Sequence, residues 1–296
     1  MHGYYLNYKV FLKFLKEYNV PVIWTFHDCW AVTGHCACFD GVQCENWKSE
    51  CQKCKYKNLY PKSLLFNNAK KNYLLKKKMF TSIKNLTIVT PSNWLKNIVE
   101  SSFFKTRKII TINNGIDTNV FKVKETNIRK KYNLENKKII LGVASTWTDK
   151  KGFDDFIELS NKITEDYKIV MIGLNKKQLK ILPSNILGIE RTESIEELSQ
   201  WYSTADVFYN PTKEDNYPTV LLEAIACGLN ILTSKVGGCP EIVEMSKNYD
   251  YCNNKELLKQ IKNLSNKDKN KIINNKDISI ECSNKKYTDL YNTLIK

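Results

Sequence analysis

The stretch Asp206-Val-Phe-Tyr-Asn-Pro-Thr-Lys-Glu-Asp-Asn-Tyr-Pro-Thr-Val-Leu-Leu-Glu-Ala-Ile-Ala-Cys-Gly228 holds a strand, a turn and a helix in succession. Residues 206–210 are mostly apolar and bounded by breakers, which predicts a buried strand. The polar run from Pro211 to Tyr217 interrupts it. Pro218 and Thr219 suit the first turn of a helix, and Gly228 suits its stop. Such a turn aims free backbone N–H groups and the positive end of a helix dipole at the C-terminal edge of a sheet, where phosphates bind. Asp215 and Glu223 stand eight positions apart, the first in the loop and the second in the helix. Carboxylates so placed can accept hydrogen bonds from sugar hydroxyls. Ordinary surface acids on an exposed helix are the alternative.

The same alternation extends outward. Apolar runs at 20–26, 86–90, 109–112, 138–144, 167–172, 206–209 and 230–233 read as buried strands. Helix-period stretches lie at 5–18, 64–80, 153–163, 195–205 and 219–227. Strands alternating with helices predict an α/β fold, a parallel sheet covered by helices on both faces. The pattern is regular after residue 108 and interrupted before it. This predicts a partial first domain at 1–107 carrying a Cys-rich insertion, a complete second one at 108–275, and a terminal helix within 276–296.

Composition narrows the class. With 42% apolar and 11% aromatic residues, the 296-residue chain is neither disordered nor collagen-like nor a multispan membrane protein. No apolar stretch approaches the ~18–20 residues of a spanning helix, and the start lacks a signal-peptide pattern, so a cytoplasmic protein is expected. The excess of 46 Lys+Arg over 31 Asp+Glu favours anionic company: nucleic acid, a membrane face or a phosphorylated small molecule. The basic residues are not interleaved with aromatics in a recognisable module, so nucleic acid is not an expected partner.

Several motifs carry a family resemblance. The segment from Asp215 to Gly228 resembles the acid–seven residues–acid signature of the retaining GT-B glycosyltransferases of family 4. Val89-Thr-Pro-Ser-Asn-Trp-Leu95 resembles the strand end and helix start before that family's interdomain crossing. Asn113-Asn-Gly-Ile-Asp117 resembles the turn opening its second domain. Leu141-Gly-Val-Ala-Ser-Thr-Trp-Thr-Asp-Lys-Lys151-Gly152 resembles its diphosphate-binding turn, and Val236-Gly-Gly-Cys-Pro-Glu-Ile-Val243 its glycine-rich loop. The resemblance implies two Rossmann-like domains and transfer of a sugar, with retention, from a nucleotide diphosphate sugar to a glycan or lipid-linked glycan, with no cofactor needed for catalysis. His27, Lys151 and Asp215 take the catalytic roles. Ser145, Lys151, Asp215, Asn216, Tyr217, Pro218, Thr219 and Glu223 hold the donor. The terminal helix crosses back onto the first domain.

Three departures stand out. Asp215 replaces the usual Glu, with Glu214 beside it. Ser145 stands where the family often carries Arg, which shifts charge onto Lys151. The amino-terminal strand and glycine turn of relatives have no counterpart, so the first domain is expected to be incomplete, and an inactive nucleotide-binding remnant is a second reading.

Two further features lie before residue 80. Cys36, Cys44, Cys51 and Cys54 form a cluster ending in Cys-x-x-Cys. In a reducing compartment it reads either as a structural tetrahedral zinc site or as separately packed thiols. Lys62, Lys70, Lys71, Lys76, Lys77 and Lys78 lie among Leu64, Leu65, Phe66, Leu74 and Leu75. That helix reads either as a solvated face or as a peripheral contact with an anionic membrane. His27 ends the predicted strand 20–26. It reads as a contact to acceptor or donor sugar, or as a strand-end residue satisfied locally.

Overall fold

The computed structural model describes residues 6–52, 54–56, 59–61, 68–268 and 276–295. Nine strands among these residues form two sheets, parallel throughout, so the chain has the expected α/β class. The chain divides into two compact units, Met1–Asn113 with Lys285–Lys296, and Asn114–Asn284.

The first unit is built on β1 (Val22–Thr25), β2 (Leu86–Thr90) and β3 (Lys108–Thr111), in that order. All five residues of β2 are buried, as befits a central parallel strand covered on both faces. Sequence reading placed the strand at 109–112 at the opening of the second domain. It instead closes the first sheet, with Thr87 opposite Lys108 and Thr90 opposite Thr111. Its backbone groups find their partners on β2, and the boundary falls after Asn113. Helix Tyr8–Tyr18 starts at Asn7, whose side chain accepts from the Lys9 and Val10 amides. Aromatic rings fill this core, with Trp24 set edge-on to Phe80 at 4.8 Å between centroids. The terminal helix Ile280–Ile295 joins the same unit from Lys285 onward. There Tyr287 and Thr25 share a 3.1 Å hydrogen bond, and Leu290 packs with Val89 and Ile112.

Helix Ala69–Phe80 covers part of the predicted 64–80; Lys62, Leu64, Leu65 and Phe66 lie outside the described residues. Lys70, Lys71, Lys77 and Lys78 are exposed, but Lys76 is not part of that charged face. It is 2% exposed. Its ammonium donates to the Trp30 and Thr33 carbonyls at 2.7 and 2.9 Å and sits 3.5 Å from the Trp30 ring centroid. A helical basic run has a buried side too, and Lys76 falls on it.

The second unit holds β4 (Lys138–Val143), β5 (Tyr167–Ile172), β6 (Ile186–Ile189), β7 (Val207–Asn210), β8 (Asn230–Thr233) and β9 (Tyr249–Tyr251). Their order is β6-β5-β4-β7-β8-β9. Alternate residues of β4 serve two cores. Ile139 and Leu141 pack with Trp201, Tyr202 and Leu222, whereas Ile140 packs with Phe156, Met171 and Val207. From β4 the sheet grows through β5 and β6 on one side, and from β7 through β8 and β9 on the other. The order therefore reverses between β4 and β7, which opens a crevice beyond their C-terminal ends. The flanking strands β6 and β9 have four and three residues, too short to show periodicity in the sequence.

Candidate functional site in the second unit

Two loops meet at the reversal point, one after β4 and one after β7, and they are fastened to each other. The Lys150 carbonyl accepts from the Lys213 amide at 2.8 Å and from the Thr212 hydroxyl at 3.2 Å. Three ion pairs cross the same seam: Lys213 with Asp149, Lys150 with Glu214, and Lys151 with Asp215 at 2.5 Å. A third loop braces Asp215 from behind. The Gly238 amide donates to the Asp215 carbonyl at 3.2 Å. Gly237 has φ +54°, and a Cβ there would fall 1.7 Å from the Asp215 carbonyl oxygen. Only glycine allows this approach.

Beyond these loops lies a cleft of about 1100 Å³. Ser145, Lys151, Asp215, Tyr217, Pro218, Thr219 and Glu223 all line it, so the fold brings these predicted donor-site residues together. Asn216 lies between them in sequence and does not line it. Helix Thr219–Ala226 begins at this wall with no side chain capping its start at Pro218, which leaves first-turn amides at the cleft for an anion. Glu223 accepts from the Tyr202 hydroxyl at 2.8 Å. Burial pushes its carboxyl above the usual range, and the Tyr202 bond opposes that shift by favouring the charged form.

Neither Tyr202 nor the run from Glu190 to Ile195, which also lines the cleft, belongs to a motif legible in the sequence. The run follows β6, the short edge strand, and no local pattern marks it. His27 lies in the first unit, directly after Phe26 at the end of β1, and is exposed.

The cysteine cluster also lies in the first unit. Cys36 and Cys51 are each 7% exposed. Burial pushes the Cys36 thiol up to about 12 and Cys51 up to about 11. The neighbouring thiols Cys51, Cys44 and Cys54 add to the shift at Cys36. Four thiols in one neighbourhood suit zinc chemically. Among the described residues, no group of three or more His, Cys, Asp or Glu side chains is gathered closely enough to hold a metal ion.

Two parallel α/β sheets, with a crevice at the reversal point of the second, give the chain a GT-B-like fold. The chain belongs to the glycosyl transferases group 1 family, whose model matches residues 124–279. It is 26% identical over 83% of its length to the putative colanic acid biosynthesis glycosyl transferase WcaC of Escherichia coli, covering 61% of that protein. It is 28% identical over 47% of its length to the processive diacylglycerol alpha-glucosyltransferase of Acholeplasma laidlawii, covering 45% of that one. The chain thus spans roughly half of these relatives. In fold it is similar to Anabaena Alr3699/HepE solved in complex with UDP, with a TM-score of 0.67 at 13% identity over 96% of this chain and 77% of that one. A glycosyltransferase of Rickettsia africae gives 0.61 at 19% identity, over 97% and 80%.

Proposed function

We propose that the chain moves a sugar, with retention, from a nucleotide diphosphate sugar to a hydroxyl of a glycan or lipid-linked glycan in cell-surface polysaccharide synthesis, as a family-4 enzyme. The observation that carries this reading is the convergence of Lys151, Asp215, the uncapped helix start at Pro218–Thr219 and Glu223 on one cleft. Breaking the bond to the diphosphate places negative charge on the leaving group. A site already furnished with a cation and oriented amides stabilises that charge without rearranging. Lys151 and the amides of the first helical turn meet the diphosphate, Glu223 accepts from the ribose, and Asp215 holds the donor sugar. His27 orients the reacting hydroxyl of the acceptor.

The names of relatives support the reading: one is assigned to colanic acid biosynthesis, and a fold neighbour was solved with UDP. Among the described residues no helix is long and apolar enough to cross a membrane. The exposed lysines of helix Ala69–Phe80 suit a cytoplasmic enzyme that touches an anionic membrane face bearing its acceptor.

Calorimetry with UDP, GDP and pyrophosphate tests the donor site. Lys151→Ala should weaken nucleoside diphosphate binding about 10–100-fold, the loss of roughly 1.5–3 kcal/mol from a charge-assisted contact. Glu223→Ala should weaken nucleoside diphosphate but not pyrophosphate. Unchanged affinity in both variants would remove the assignment. Transfer from a labelled donor, with the anomeric configuration read by NMR, tests the reaction.

A further inference from the structure

The wall of the cleft is poor in positive charge. Its charged side chains are the cations Lys151 and Arg191 and the carboxylates Glu190, Glu193, Asp215 and Glu223. The charge of Lys151 is partly balanced already, since its ammonium lies 2.5 Å from an Asp215 carboxylate oxygen. Ser145, beside it after β4, contributes no charge. A diphosphate brings at least two negative charges into this wall, and amides at one helix start do not balance them alone.

Arg191 is the cation that is left. It sits in the loop between β6 and helix Ile195–Thr204, is exposed, and has neither a hydrogen bond nor an ion pair among the described residues. The strand order puts β6 two places from β4. At ~4.8 Å between neighbouring strands, their C-terminal ends lie about 10 Å apart, a gap that an extended arginine and a bound diphosphate span together. A guanidinium presents paired donors in a fixed fork that matches phosphate oxygens, which an ammonium does not.

We propose that Arg191 is the second phosphate-binding cation of this cleft, reaching from the β6 side to the diphosphate that Lys151 meets from the β4 side. The inference depends on the nucleotide diphosphate reading of the cleft. It adds a residue outside both motif loops and explains how a site with a neutral Ser145 balances its ligand.

Equilibrium binding by calorimetry on the full chain tests it, using UDP or GDP (whichever the wild type binds more tightly), its monophosphate, its nucleoside and inorganic pyrophosphate. Arg191→Gln should weaken the diphosphate about tenfold or more, pyrophosphate to a similar degree, and the nucleoside not at all. Arg191→Lys should recover only part of the loss. The side chain is exposed and unbonded, so circular dichroism and the melting temperature should not change. If Lys151→Ala weakens the diphosphate and Arg191→Gln does not, Arg191 is no phosphate ligand and this inference alone fails. Equal losses for nucleoside and diphosphate would place the guanidinium on the base and overturn it as well. If the wild type binds no nucleoside diphosphate, the donor-site reading fails and this inference falls with it.

Discussion

The Tyr202 hydroxyl donates to Glu223 Oε2 at 2.8 Å, and the tyrosine is wholly buried beneath the cleft. A buried phenol with one carboxylate partner fixes that carboxylate's orientation. It also opposes part of the rise that burial imposes on the Glu223 carboxyl.

Tyr202→Phe removes that donor while keeping the ring. Nucleoside diphosphate affinity should fall about fivefold, near the ~1 kcal/mol of a typical hydrogen bond, with pyrophosphate binding unchanged. Losing the donor raises the Glu223 carboxyl further. As pH is lowered, the variant should therefore lose affinity at a higher pH than the wild type. Superimposable pH profiles would show that the tyrosine only fills space.

Gly237→Ala tests the bracing of the Asp215 loop. A methyl group cannot coexist with the Asp215 carbonyl at 1.7 Å, and φ +54° disfavours any side chain. The loop should move, and donor affinity should fall by about an order of magnitude with little change in far-ultraviolet circular dichroism. Wild-type affinity would mean that Asp215 is not held by this contact.

Lys76 links the first unit to pH. Burial pushes its ammonium from 10.5 down to about 7, against two carbonyls and an indole face that favour the charge. Between pH 7 and 10.5 the unfolded chain binds the proton that the folded chain has released, so this group makes stability rise with pH by at most about 1.4 kcal/mol per unit. Lys76→Met should lower stability by about 2 kcal/mol or more, because two buried carbonyls lose their donor. The stability difference between wild type and variant, from urea unfolding read by amide exchange in the first unit, should widen between pH 7 and 9. A constant difference would mean that the carbonyls hold Lys76 charged throughout.

The thiol cluster makes a prediction of its own. Cys36 and Cys51, buried and pushed up to about 12 and 11, should react with a thiol reagent far more slowly at pH 7.5 than after unfolding. Chelator-accelerated labelling with release of about one equivalent of zinc would establish the four-thiolate metal site, and rates unchanged by a chelator would show separately packed thiols.

Much of the site was legible in the chain because a strand-to-helix turn is a local object. The breakers at Pro211 and Pro218, the apolar run before them and the stop at Gly228 lie within twenty-three consecutive residues, and each acts through its own backbone preferences. The central strands were legible for a similar reason, since burial on both faces demands an unbroken apolar run.

Tertiary structure decided everything that depends on which distant segments meet. Whether the strand at 108–111 closes one sheet or opens the next is settled by its ladder with β2, and its own residues would suit either place. Lys76 reads as one of a row of surface lysines until the loop at Trp30–Thr33 folds over it. Tyr202 and Arg191 reach the site from elements that no spacing ties to the Pro211–Gly228 turn. A parallel sheet joins strands through long crossovers, so neighbours in the cleft are remote in the chain. Periodicity records which side of an element is buried, and only the packed structure shows against what.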